Sequence, residues 1–233
     1  MEHNEQKKIA QHVGWAMLFS LVIGILSALF VVQGIDINLS ADIKATAANM
    51  LEAETQLRAK AYIAAFLMIF EVLIAYGMFM LLRQKGPLLA AVSLIVGLAT
   101  SILSLDGAVF ALNAAEIGSN SAYTTMTDDG QRLMLAGLQA TSDYTSFHLA
   151  LILSSISKAG FFYLFFTSHM LPKIISGWGI FASLFVAITI VARDFIPMLG
   201  HGNITAAFMV SNLIAIVSTG LYMSIKGIRE SSS

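Results

Sequence analysis

The 233-residue chain is 57% hydrophobic and 12% charged, against roughly a quarter charged in a typical soluble domain, and this excludes an ordinary water-soluble fold. Its 13 Lys+Arg nearly balance 14 Asp+Glu, so no basic field is available to recruit nucleic acid. The lack of any cysteine excludes disulfides, thiolate zinc sites, iron–sulfur clusters and cysteine nucleophiles.

A helix rises 1.5 Å per residue, so about 20 apolar residues cross the roughly 30 Å hydrocarbon layer of a bilayer. The first run of that kind, 13–34, follows Lys7 and Lys8. It is too long for a signal-peptide core and lacks a small-residue cleavage site, so it reads as a retained first span. The following segment, 36–60, is Ala-rich and free of Pro. It repeats apolar residues (Leu39, Ile43, Ala47, Met50, Leu51, Leu57) at three- and four-residue spacing, which predicts an amphipathic helix. Ser40 is its expected N-cap, Asp42 suits its first turn, and Glu54 stands four residues before Arg58. Such a helix either covers an outer cavity or rests on lipid, and amphipathicity alone favours lipid.

The second span, 61–82, carries Glu71 near its middle, and the third, 88–114, carries Asp106 towards one end. Small residues four apart (Ser20/Gly24/Ala28, Ser93/Gly97/Ser101, Gly179/Ser183) predict close helix–helix approach. The connection 116–143 opens on a Gly/Ser/Asn/Thr/Asp stretch, expected to be mobile, and continues as a short helix over 129–140. The fourth span, 144–167, contains His148, Lys158 and an aromatic run at 161–166 that reads as packing surface. The fifth span is 174–192 and the sixth, 205–225, holds Asn212; Arg193, Asp194 and His201 lie between them. Pro87, Pro172 and Pro197 all fall between spans, where a missing N–H is harmless. Asn38-Leu39-Ser40 and Asn203-Ile204-Thr205 match the glycosylation acceptor pattern, but both stand at helix starts, where capping is the better account.

Cytoplasmic loops carry the excess of Lys and Arg. Lys7, Lys8, Arg83, Lys85, Lys173, Lys226 and Arg229 fall on one side of the six spans, whereas the other side holds Lys44, Arg58, Lys60, Arg132 and Arg193 together with nine carboxylates, Asp36, Asp42, Glu52, Glu54, Glu116, Asp128, Asp129, Asp143 and Asp194. Both termini are therefore expected in the cytoplasm. Trp15, Trp178 and Tyr222 mark inner span ends and Tyr62 and Tyr144 outer ones.

Ionisable residues within spans are costly and mark candidate sites. Glu71 and Lys158 differ in depth by about four residues, roughly 6 Å, and are expected to pair, either as interhelical glue or as a proton-coupled switch. Asp106, His148, Arg193, Asp194 and His201, with Asp143 and Asn212, fall towards the outer side. Asp106 is expected to be satisfied by Arg193 or His148. An outward-facing polar cavity lined by Glu71, Asp106, His148, Lys158, Arg193 and Asn212 is the expected ligand site. No His-Glu-x-x-His or Ser/His/Asp pattern is present, so no catalytic residue, metal or cofactor is assigned; Asp106, His148 and His201 would be the ligands of any metal. His12 and His169 belong to the inner interface.

Two stretches carry a family resemblance: Ala47-Ala48-Asn49-Met50-Leu51-Glu52-Ala53-Glu54-Thr55-Gln56-Leu57-Arg58 and Ser168-His169-Met170-Leu171-Pro172-Lys173-Ile174-Ile175-Ser176-Gly177. With them the chain resembles a bacterial domain-of-unknown-function family of six-span membrane proteins, which has an acidic helix before the second span and a Leu-Pro-Arg-x-x-Gly-like cytoplasmic turn. Lys173 stands where that family often has Arg, and His148 is the family-like His of the fourth span, without the Gly expected soon after it. The resemblance implies architecture and location and supplies no catalytic residue.

The expectation is thus an all-α, polytopic bundle of six spans with an extracytoplasmic amphipathic helix before the second span. The whole chain, 1–233, would form one integral domain of the bacterial inner membrane. Its expected role is non-enzymatic binding, transport or sensing of a small molecule. The alternatives are a metal-dependent intramembrane hydrolase, with metal-activated water as nucleophile, and a structural or assembly subunit. Expected partners are the lipid bilayer, a small-molecule ligand and, as a homo-oligomer, further copies of itself; nucleic acid is not among them.

Overall fold

A computed structural model describes residues 3–36 and 42–229. Its helices are α1 (His3–Phe30), α2 (Ile43–Glu52), α3 (Glu54–Leu82), α4 (Pro87–Ser119), α5 (Ser121–Met126), α6 (Asp129–Ser168), α7 (Lys173–Arg193) and α8 (Gly202–Lys226), with a 3₁₀ turn at Pro197–Gly200. Six of them (α1, α3, α4, α6, α7 and α8) are long and apolar enough to cross a membrane. Between 22% and 39% of each apolar stretch is buried inside the protein. The remainder is partly or fully exposed, with Phe30, Ile69, Ile95, Ile174 and Ile188 among the most exposed apolar side chains; a bilayer covers such a surface and water does not.

Local chemistry corrects several expected boundaries. The N-cap of α2 is Asp42, whose Oδ1 accepts from the backbone N–H of Lys44 at 2.9 Å and of Ala45 at 3.2 Å; Ser40 and Asn38 lie outside the described residues. The stretch expected to be mobile contains α5, capped by Asn120 through the N–H of Ala122 at 2.9 Å. The short helix over 129–140 and the fourth span are one 40-residue helix, α6. Falling hydropathy ends a membrane run but not a helix, and Thr141 and Thr145 turn their hydroxyls back onto the carbonyls of Gly137 and Thr141, both at 2.9 Å. At α8 the N-cap position is His201, without a side-chain bond. Asn203 sits inside the first turn, so the capping account fails for it.

The chain divides into two compact units. One comprises Met1–Leu21, Phe70–Ser101 and Leu151–Ser233. Its core gathers Val13, Met17, Leu81, Leu82, Phe161, Phe165 and Met223, with Met170 and Leu171 of the α6–α7 turn 2% and 1% exposed. That turn is the second family-like stretch, and its work is structural. His169 takes the left-handed conformation (φ 59°) that ends a helix, Ser176 donates to the carbonyl of Pro172 at 3.2 Å, and the carbonyl of Met170 accepts from the N–H of Arg229 at 2.9 Å. The small residues of the Ser93/Gly97 row act as their spacing implied: Ser157 donates to the carbonyl of Ser93 at 2.7 Å, and a side chain at Gly97 would meet both Ser157 and Ala75.

The other unit comprises Val22–Ile69 and Ile102–Ala150. Its core is largely alanine (Ala61, Ala108, Ala111, Ala114, Ala115, Ala140), closed by Ile35, Met50 and Leu57. Short side chains let helix backbones approach closely, and α2 lies directly on this surface, with Ala47 and Met50 each 1% exposed. Contrary to the lipid-resting expectation, the apolar face of α2 packs on protein. Among the described residues, no atom of another helix lies within 4 Å of the place a side chain would take at Gly24, so close packing is not seen at that position of the α1 stripe.

Candidate functional site

Glu71 and Lys158 both fall in the first unit. No ion pair within 4.0 Å joins them, and the Oε2 of Glu71 is buried without a hydrogen-bond partner among the described residues. The expected contact between them is therefore not made. Asn212 is half-buried and Arg193 ends α7 half-buried.

In the second unit, Asp106 is exposed and, among the described residues, makes no hydrogen bond or ion pair; its expected satisfaction by His148 or Arg193 is not found. Helical spacing explains this. Asp106 shares a face with Ile102 and Val109, 58% and 50% exposed, while its neighbour Gly107 is the residue turned to α6, where any side chain would strike the carboxylate of Asp143. His148 stacks obliquely on Tyr144, ring centres 5.9 Å apart. Among the described residues, no three His, Asp or Glu side chains approach closely enough to hold a metal ion, so the convergence of Asp106, His148 and His201 that a hydrolase requires is missing.

The polar chemistry of the second unit centres on residues outside that expected set. Lys60 of α3 donates at once to Asp36, beyond the end of α1, and to Asp143 of α6. The Lys60 and Asp143 side chains are each 14% exposed and that of Asp36 28%. One ammonium between two carboxylates thus ties three segments together where water is scarce and an unpaired charge is costly. A second, more exposed network runs from Glu54 through Arg58 (2.9 Å) to Glu116 (2.7 Å) and on to Asn120 (3.1 Å). It realises the Glu54–Arg58 pair that spacing suggested and extends it to α4. The position of Lys60 carried one legible signal: about 20 residues back from Leu82 along α3 reach position 62 or 63, so Lys60 falls just past the hydrocarbon. Its two partners were not legible.

Between them α2 and α6 border a shallow, open groove of about 560 Å³. Ile43, Lys44 and Ala47 form one wall; Gly130, Leu133, Met134, Gly137, Leu138 and Thr141, a single stripe at helical spacing, form the other. The volume is typical of a small-molecule pocket, roughly 300–1,000 Å³. None of Glu71, Asp106, His148, Lys158, Arg193 and Asn212 lines it; the groove is apolar where a polar cavity was expected.

Six spanning helices, a covering helix and a stapled polar layer define a polytopic α-helical membrane protein. Residues 12–227 match the family described as Domain of unknown function (DUF4386), and the chain belongs to that family, as the resemblance implied. No curated protein and no solved structure matches it.

Proposed function

We propose that this protein is a non-enzymatic binder of a small molecule, taken up in the α2–α6 groove on the extracytoplasmic side of a bacterial inner membrane. Both termini are cytoplasmic in this reading, and α2 is the cover of the site. The observation that carries it is the groove itself: a shallow, open and mostly apolar depression with few polar groups in its lining, a composition that ligand sites share. Its position supports the same reading. About 20 residues from Ser168 back along α6 exhaust the hydrocarbon layer near position 149, so residues 130–141 lie beyond it. Ile43, Met134 and Leu138, 48%, 69% and 58% exposed, would face water there unless something apolar covers them.

The test is thermal unfolding of the purified protein against graded long-chain alcohols, wild type beside Gly137→Phe. A Cβ at Gly137 would lie 3.6 Å from Ile43 and 3.7 Å from Ala47, so a ring there fills the groove from its floor. A ligand at a hundred times its Kd should stabilise the wild type by about 2.7 kcal/mol and leave the variant unmoved. Equal responses from both proteins would remove the groove as the site.

A further inference from the structure

We infer that the groove between α2 and α6 is a fatty-acid site, in which one acyl chain lies along the apolar α6 stripe and the carboxylate is held by Lys44. The inference rests on the groove reading above and names its ligand class. Charge selects the head group. The cations of the second unit are Lys44, Arg58, Lys60 and Arg132. Two of them face carboxylates at hydrogen-bond distance: Arg58 faces Glu54 and Glu116, and Lys60 faces Asp36 and Asp143; Arg132, 3.8 Å from the fully exposed Asp129 and with its Nε buried without a hydrogen-bond partner, lies outside the groove lining. The ammonium of Lys44 has no such partner among the described residues. It is also the charged residue of the groove lining, and the neighbouring Asp42 uses Oδ1 to cap α2. An anion set at the end of an apolar chain therefore meets a cation with capacity to spare at the Lys44 end of the groove, while the Asp128 carboxylate stands against Gly130 at the other.

Shape and position select the tail. Gly130 and Gly137 leave the α6 wall without side chains at two points, while Leu133, Met134 and Leu138 supply apolar contact between them. One groove and one cation fit one chain and one negative charge. Because this stretch of α6 lies beyond the hydrocarbon, its ligand must leave the bilayer to reach it, as a single-chain fatty acid does far more readily than a two-chain phospholipid.

The experiment is saturable binding of radiolabelled oleate and of oleyl alcohol to the full chain in nanodiscs of zwitterionic lipid, with Lys44→Gln, Lys44→Arg and Gly137→Phe beside wild type. Wild type should prefer oleate. Lys44→Gln should weaken oleate about tenfold, the size of one lost charged hydrogen bond, and leave the alcohol unchanged; Lys44→Arg should keep most of the preference, and Gly137→Phe should lose both ligands. Alcohol binding equal to oleate binding, or indifference of oleate to Lys44→Gln, would overturn the fatty-acid assignment while leaving the groove as a binding site. No saturable binding of either ligand would overturn the groove reading too, as would a dimer, detected by light scattering, whose second copy covers the Leu138 face and excludes oleate. Displacement of oleate by a two-chain phospholipid, equally in wild type and Lys44→Gln, would assign the groove to bilayer lipid instead.

Discussion

Lys60 shows how one side chain can set the arrangement of a polar layer. Removing its ammonium leaves Asp36 and Asp143 mostly shielded, facing each other's charge and without their shared donor. Lys60→Met should therefore lower stability by about 1–3 kcal/mol, the cost of stranding sheltered polar groups, read as a lower unfolding midpoint in detergent. Adding Asp143→Asn should recover part of the loss, because the double variant no longer strands the more buried carboxylate, and that non-additivity is the signature of a real contact. The sequence made Glu71, Asp106 and Lys158 conspicuous because they interrupt apolar runs. It could not show that Asp106 faces outward and Gly107 inward, since a one-residue step along a helix turns a side chain by about 100°, and only packing decides which of two neighbours meets α6. Nor could it show the partners of Lys60, which lie 24 and 83 residues away in the chain.

Helices were the most legible features, for a physical reason: spans and amphipathic faces are written in composition and period, which survive without knowledge of neighbours. The existence of a helix before the second span was legible in this way, with its buried Ala47 and Met50, but not its break at Ala53 nor the exposure of Ile43. What covers what was not legible, because lipid and an alanine-rich protein surface reward the same apolar stripe. Gly118 illustrates the difference. In the sequence it belongs to a loop-like Gly/Ser/Asn stretch; in the structure it ends α4 beneath α2, where a Cβ would lie 2.7 Å from the carbonyl oxygen of Leu51. Backbone cannot yield as a flexible side chain can, so Gly118→Ala should lift the end of α2 from its seat. Limited proteolysis should then cut within 42–53 sooner than in wild type, with the six spans intact. An unchanged cleavage rate would mean that α2 is not held by this contact. The continuity of α6 was missed on similar grounds, since hydropathy reports where a bilayer ends and says little about where a helix does.

Charge asymmetry between the helix ends bears on the whole molecule. The short turn between α3 and α4 carries Arg83 and Lys85 and no carboxylate, and the turn between α6 and α7 leads into Lys173, whereas in α2 and its flanks Lys44, Arg58 and Lys60 are outnumbered by Asp36, Asp42, Glu52 and Glu54. Lys and Arg in short loops resist export and set orientation, while carboxylates contribute little; the α3–α4 turn should therefore be cytoplasmic and α2 extracytoplasmic. The chain offers an unusually direct check, because it contains no cysteine and any introduced thiol is the sole target. In intact cells a membrane-impermeant maleimide should label Glu52→Cys and spare Lys85→Cys, both exposed positions, and permeabilisation should make Lys85→Cys reactive. The reverse pattern would place α2 and its groove in the cytoplasm. Ligand supply would then have to come from inside the cell, and the groove could not serve as a receptor for molecules arriving from outside.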